Sequence, residues 1–263
     1  MDLGLRGRVA IVTAASKGLG RATAAELAAE GARLVICARN ADILGATRDR
    51  IVADTGAEVH AVEADVSTME GIERVAAASE RVYGTVDILV NNAGGPPSGP
   101  FEAHDWPRWE DAVHLTLRSA VELTRLVLPG MRERKWGRIL NITSIAVKQP
   151  VDGLMLSNSI RAAVTGWSRT LANEVARDGV TVNNILPGYT ATDRVEQLNA
   201  ATAAREGISA DEVRRRSEQQ IPMRRLGDPR EFAALATFLV SDRASYITAQ
   251  SVAVDGGWIR ALL

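Results

Sequence analysis

The chain has 263 residues, 46% of them hydrophobic and 24% charged, with a formal net charge of −1. That length suits one large domain with a sizeable core, and the near-neutral balance excludes nucleic-acid or anionic-membrane binding by bulk electrostatics. No apolar run approaches the ~18 residues that would span a bilayer, and Cys37 is the only cysteine, which excludes an intrachain disulfide and a cysteine-based metal cluster.

The N-terminal MDLGLRGRVAIVTA passes directly into a strand pattern over Arg8–Ala14, with no signal-peptide pattern, so a cytoplasmic setting is expected. An Ala-rich helix is predicted over Gly18–Glu30, ending at Gly31. A second strand over Arg33–Ala38 and a helix from about Ala41 follow, then a third strand over Glu58–Ala64 and a helix from Thr68. Val86–Val90 and Arg138–Thr143 read as strands four and five, separated by a long helix around Trp109–Leu128. A helix over Ser157–Asp178, a sixth strand over Val180–Leu186 and a short seventh over Ser251–Val254 complete the pattern.

Short apolar runs bounded by Gly and Asp, with helices between them, argue for parallel strands buried on both faces. Right-handed crossovers then give a doubly wound, seven-stranded parallel sheet of the α/β class in a single domain. The polar, Arg-rich stretch from Pro187 to Asp228 breaks this rhythm. It contributes no strand, and Ser209 offers an N-cap to the helical patch SADEVRRR. It leaves the carboxyl end of strand six, where open α/β sheets bind ligands, so residues 189–227 are expected to form a substrate lid. A solvated helical excursion is the plain alternative. His60, His104 and His114 show no ligand spacing; each is expected to be a surface or partly buried residue, and no metal is expected.

After strand one comes TAASKGLGRAT, residues 13–23. Gly18 and Gly20 would let backbone approach a pyrophosphate, and the helix starting near Gly18 would aim its free N–H groups at that anion. From here the chain resembles the short-chain dehydrogenase/reductase family over nearly its whole length. The glycine turn appears as Thr13-Ala14-Ala15-Ser16-Lys17-Gly18-Leu19-Gly20, and Asp65-Val66, after strand three, is where the family holds the adenine. Asn91-Asn92-Ala93-Gly94 follows strand four, Pro187-Gly188, with Thr190 just beyond, follows strand six, and Val254–Gly257 closes the chain. Ala14 departs from the family glycine, and an ordinary φ < 0 is expected there.

Strand two ends in Cys37-Ala38-Arg39-Asn40, with a base where an acid would bind the ribose 2′-OH. Arg39 can pair bidentately with a 2′-phosphate, and Lys17 adds a second positive charge, so NADP(H) is expected rather than NAD(H). The resemblance also implies a catalytic set of Asn, Ser, Tyr and Lys. Carried over by position, these fall on Thr116, Ser144, Ser157 and Arg161, so one of the four is retained. A serine is a far weaker acid than a phenol, and arginine is a poor proton donor, although Arg161 could bond the ribose hydroxyls or stabilise an oxyanion.

Two groups could fill the vacancy: Lys148, if burial lowers its pKa, and Tyr189, directly after Pro187-Gly188. Ser144 is expected to hold the substrate carbonyl. The implied function is an NADP(H)-dependent oxidoreductase acting on a small-molecule carbonyl or alcohol, similar in length and ending to the 3-oxoacyl carrier-protein reductases. A degenerate cofactor-binding sensor or scaffold, and a non-redox reaction such as elimination or isomerisation, remain alternatives. The apolar stretch 94–101 and Trp106 are candidates for the substrate mouth, with Trp109 read as helix packing. The family's habit and the apolar and small residues Ala162, Ala163, Val164, Trp167 and Leu171 suggest a homotetramer.

Overall fold

Strand β1 (Val9–Val12) shows how the sheet is built. Ala10 and Val12 join one core cluster, while Ile11 joins another, and all are fully buried. Strand β2 (Arg33–Ala38) repeats this, with Leu34 and Ile36 on the first side and Val35 and Cys37 on the second. Successive side chains point to opposite faces of a strand, so a run apolar at every position requires cover on both faces. The cover is helical. Helices α1 (Gly18–Ala29) and α2 (Ala41–Thr55) pack on one side, and α3 (Met69–Tyr83) on the other.

The structure is a computed structural model that describes residues 1–262. Strands β3 (Val59–Glu63), β4 (Ile88–Asn91), β5 (Gly137–Ile142), β6 (Val180–Pro187) and β7 (Ser251–Val254) complete one all-parallel, seven-stranded sheet of order β3-β2-β1-β4-β5-β6-β7. The order reverses between β1 and β4, and the chain leaves the carboxyl ends of those two strands in opposite directions. That divergence opens the crevice where such sheets bind ligands.

A buried side-chain ladder pins the register beside it. The Asn91 amide donates to Asn141 at 2.9 Å, Asn141 donates to Asn184 at 3.1 Å, and Asn184 donates to Ser251 at 3.1 Å. These four residues are also direct partners across β4, β5, β6 and β7. A one-residue slip of any strand would leave buried amides unpaired, at about 1–3 kcal/mol each.

The helix expected around Trp109–Leu128 is three pieces: α4 (Trp106–Ala112), a π-helical segment (Val113–Arg118) and α5 (Ser119–Glu133). Helix α6 (Met155–Val175) begins two residues before its expected start. Helices α7 (Asp193–Glu206) and α8 (Ala210–Gln220) form the excursion after β6, and Ser209 caps α8 by accepting from the Glu212 N–H at 3.1 Å. Helix α9 (Pro229–Leu239) escaped the sequence reading, although Asp228 and Glu231 form a capping box at its start. No helix among the described residues is long and apolar enough to cross a membrane.

Candidate active site

The crevice is built around the turn after β1. Thr13 is buried, and its hydroxyl donates to the Asn92 carbonyl at 2.6 Å and accepts from the Asn92 N–H at 2.8 Å. The Asn92 amide reaches back to the carbonyls of Thr13 and Ala14 at 3.2 and 3.3 Å. These bonds clamp the ends of β1 and β4 together, with Ala93 and Gly94 just beyond. Ser16 is fixed by its carbonyl, which accepts from Thr47 at 2.9 Å. Lys17 is the extended N-cap of α1, and no side chain bonds the first N–H groups of that helix. They remain free for an anion, at the positive end of the helix dipole.

Gly20 is the tight position. A Cβ there would lie 2.5 Å from the Ala14 carbonyl oxygen and 2.6 Å from the Asn92 amide nitrogen. Gly18 has φ of +55°, and Leu19 packs against the core. Ala14 corrects the expectation made for it: its φ is +47°, in the left-handed region. The turn demands that conformation whatever residue stands there. Left-handed backbone costs an L-residue ~1–2 kcal/mol, part of which glycine loses again through unfolded-state freedom. Ala14→Gly is therefore expected to stabilise the protein by about 0.5–1 kcal/mol, a rise of roughly 2–3 °C in melting temperature for a domain of this size. An unchanged or lower melting temperature would contradict this.

At the outer end of the crevice, Arg39 follows β2, is exposed and makes no ion pair among the described residues. Asn40 spends its side chain as the N-cap of α2, accepting from Ile43 N–H at 2.9 Å. Lys17 is paired instead with Asp193 of α7 at 3.2 Å, both being more than half exposed. Such a pair is worth only about 0–1 kcal/mol. Asp65 is half-buried, its carboxylate accepting from Ser67 N–H at 2.9 Å, and Val66 is packed in the core.

At the inner end lies a cavity of about 840 Å³. Ser144, Tyr189, Pro187, Gly188, Leu198 and Trp258 are among its walls. The loop after β4 contributes Ser98, Gly99 and Pro100 to the same cavity, whereas Trp106 is exposed and donates to Glu110 at 2.9 Å. Trp109 packs against Leu156 and Ile160, as expected. Ser144 accepts from Ala146 N–H at 3.1 Å, which leaves its own O–H free to donate. Tyr189 stands edge-on to Trp258 with ring centroids 6.0 Å apart. Burial first, and then the Asp152 carboxylate, push its phenol above the ordinary tyrosine range. Thr190 is buried and bridges to Gly227, so the two ends of the excursion meet.

Lys148 does not fit the expectation. It is exposed, and its neighbours Ile145 and Gln149 line the cavity while it does not. The burial on which its candidacy rested is absent. Ser157 and Arg161 are both buried on one face of α6, a single turn apart. Arg161 donates to the Ile142 carbonyl at 2.8 Å. Burial, and then the Arg194 cation, push it down to about 10. Arg161 also lines a pocket of about 10 Å³ shared with Asn91, Asn92, Thr116 and Thr143. The Thr116 and Thr143 hydroxyls and the Asn91 side-chain oxygen (Oδ1) have no protein partner there, and the volume suits about one water. Thr116 sits in the π-helical segment, a distortion that often marks functional sites.

The family profile described as enoyl-(acyl carrier protein) reductase matches residues 13–259. The chain belongs to the short-chain dehydrogenase/reductase family. It is 36% identical over 255 residues to the 3-oxoacyl-[acyl-carrier-protein] reductase FabG of Vibrio cholerae, covering 97% of this chain and 98% of that one. Among solved structures, the L-sorbose reductase of Gluconobacter frateurii superposes with a TM-score of 0.94 at 34% identity, covering all of both chains. An actinorhodin polyketide ketoreductase solved with NADPH has a TM-score of 0.93 at 33% identity, covering 97% of this chain and 98% of that one.

Two residues near the site, Arg194 and His104, match none of the family motifs. Arg194, in the first turn of α7, donates to the Pro96 carbonyl at 2.8 Å and lies against Gly95. Nothing in its sequence context set it apart from the other arginines of the excursion. His104 was expected to be a surface or partly buried residue. It is buried, with neither ring nitrogen hydrogen-bonded, beside Gly99 at the rim of the cavity. Among the described residues, no cluster of three or more His, Cys, Asp or Glu side chains could hold a metal ion.

Proposed function

We propose that the chain is an NADP(H)-dependent oxidoreductase that interconverts a small-molecule carbonyl and its alcohol, using a proton donor other than a tyrosine at position 157. The observation that carries this reading is a set of cofactor and substrate features all at the carboxyl ends of the strands. Its parts are the unpaired Arg39 after β2, the Gly20 cradle and free N–H groups of α1 at the switch point of the sheet, and a cavity lined by Ser144, Tyr189 and the Pro187-Gly188 end of β6. The sorbose reductase and the polyketide ketoreductase it resembles were solved with NADPH, and the former also with L-sorbose. That supports the cofactor and a carbonyl substrate.

The residues fit such a dinucleotide. Gly20 has no room for a side chain, so backbone N–H groups can reach the diphosphate, and Arg39 is placed for the 2′-phosphate. Bound NADPH supplies the hydride. Ser144 would orient the carbonyl by donating its free O–H. Tyr189 would then give its phenolic proton to the developing alkoxide, a far stronger base than phenolate. Its raised pKa keeps that proton in place throughout the neutral range. Arg161, held by its hydrogen bond to the Ile142 carbonyl, would stabilise charge nearby. Helices α7 and α8, whose Val195, Leu198 and Val213 face the cavity, would act as the lid.

Consumption of NADPH with ketoses, oxo acids and 3-oxoacyl thioesters tests the reaction, with NADPH binding measured separately. Binding without turnover on any carbonyl would favour a sensor. Arg39→Ala is expected to weaken NADPH about 10–100-fold, the loss of a charge-assisted pair, and leave NADH unchanged. An unaltered NADPH preference would remove the 2′-phosphate assignment. A homotetramer is also part of this reading, because Ala162, Ala163 and Gly166 leave an exposed small-residue face on α6. Light scattering should give four times the 28.2 kDa chain mass; a monomer would contradict it.

A further inference from the structure

Helix α7 turns one face to the cavity of about 840 Å³, through Val195, Leu198, Asn199 and Thr202. Their spacing of i, i+3, i+4 and i+7 makes them one stripe of the helix. A stripe facing an alkyl chain would be apolar throughout. This one is apolar in its first two members and polar in its last two. Asn199 is only 9% exposed, and its side-chain amide bonds no protein group among the described residues. The half-buried Thr202 hydroxyl has no protein partner among them either. Leucine at position 199 would fill a similar volume with no polar atom to satisfy. A buried amide left unpaired on a cavity wall is costly, so what enters the cavity supplies its partner.

The charged residues of the wall narrow the ligand. They are Asp152, Arg205, Glu206 and Arg216. Arg216 pairs with Glu206 at 3.2 Å and with Glu212 at 3.1 Å, and Arg205 pairs with Glu206 at 3.4 Å. Asp152, in the loop between β5 and α6, has no ion pair or hydrogen bond among the described residues. The unpaired charge of the wall is therefore negative, which disfavours an anionic ligand. A Cβ added at Gly153 would lie 3.1 Å from Nη1 of Arg205, one turn beyond Thr202 on α7. The loop carrying Asp152 and the helix carrying Thr202 thus meet at one end of the cavity.

An amide, a hydroxyl and a carboxylate together suit a neutral ligand whose groups both donate and accept. Hydroxyl groups do both. An ammonium would suit Asp152 but has nothing to accept from the Asn199 N–H groups. We propose that the substrate is polyhydroxylated, a ketose or its alditol, and that Asn199, Thr202 and Asp152 determine specificity by bonding its hydroxyls. Ser144 and Tyr189 line the same cavity, so binding and reaction share one chamber. The proposal deepens the oxidoreductase reading and rests on it for turnover; the hydroxyl-binding site itself requires no reaction.

Saturation-transfer NMR on the full chain, with and without NADP⁺, uses D-glucitol, D-mannitol and galactitol as probes. At least one alditol should show transfer, and Asn199→Leu should abolish it. Initial rates with NADPH then compare the D-ketohexoses and L-sorbose with 2-hexanone, 3-oxoacyl thioesters and aminoacetone. The best ketohexose should exceed 2-hexanone by more than about tenfold in kcat/KM, because a site built to bond hydroxyls rejects an analogue lacking them. Asn199→Leu and Thr202→Val should each raise KM for that ketohexose by about tenfold, with kcat little altered and 2-hexanone unaffected or improved. A merely structural role would depress both substrates alike. Asp152→Asn, at an exposed loop position, should also raise KM for the ketohexose and guards against a folding defect in the two α7 variants.

A chain that reduces 2-hexanone or a 3-oxoacyl thioester better than every ketohexose would overturn the proposal. Aminoacetone favoured in an Asp152-dependent way would overturn it as well, by assigning the carboxylate to a cation. So would a folded chain that shows no alditol transfer with or without NADP⁺. Asn199-dependent alditol binding in a chain that turns over no carbonyl would uphold the hydroxyl site and defeat the oxidoreductase reading instead.

Discussion

Tyr189→Phe should lower kcat/KM for carbonyl reduction by about 10²–10⁴, the usual worth of a positioned general acid, while leaving NADPH affinity unchanged. The substitution removes one hydroxyl and keeps the ring against Trp258, so packing survives. The pH profile should carry the same signature. The phenol is raised by burial and by Asp152, so the protonated form is the one present below the ordinary tyrosine value of about 10. Reduction should therefore be flat with pH through the neutral range and fall only above that value. A limb of falling activity near pH 7 would mean that another group supplies the proton. A Tyr189→Phe enzyme within threefold of wild type would mean the same.

Gly20→Ala should be nearly as damaging, at the other end of the crevice. The added Cβ meets a backbone oxygen at 2.5 Å and the Asn92 amide at 2.6 Å, neither of which is the free end of a flexible chain. The turn must shift, and overpacking of this kind costs ~1–3 kcal/mol of stability. The N–H groups at the start of α1 move with it. Loss of one or two charge-assisted bonds to a diphosphate, at ~1.5–3 kcal/mol each, weakens NADPH by about tenfold to a hundredfold or more. NADH should weaken by the same factor, since the diphosphate is common to both, which separates this variant from Arg39→Ala. Wild-type affinity in a folded Gly20→Ala protein would show that the dinucleotide does not lie against this turn.

Much of the fold was legible because parallel strands buried on two faces are dominated by apolar residues, even where the Asn91, Asn141 and Asn184 ladder interrupts them. Strands β2 and β7 begin and end where the apolar runs do, and the seven strands all lie where alternation suggested. The Ser209 cap was equally readable, and the helix expected from Thr68 is α3, with Thr68 as its cap. The π segment at Val113–Arg118 was not, since one extra residue per turn leaves an apolar pattern much as it was. Backbone handedness at Ala14 was misjudged because a side chain reveals little about a φ that the turn imposes. Lys148 failed for the commoner reason that position in a loop does not determine burial. Arg194 could not be singled out in advance, because only the fold lays the start of α7 against Gly95 and Pro96, about a hundred residues earlier in the chain.

A crystal structure of the chain grown with NADP⁺ tests the central claim most directly. The account predicts the 2′-phosphate within hydrogen-bond reach of Arg39, the diphosphate at the start of α1, and the nicotinamide facing the cavity between Ser144 and Tyr189. A dinucleotide bound elsewhere, or lying in the crevice with its nicotinamide turned away from that cavity, would contradict it.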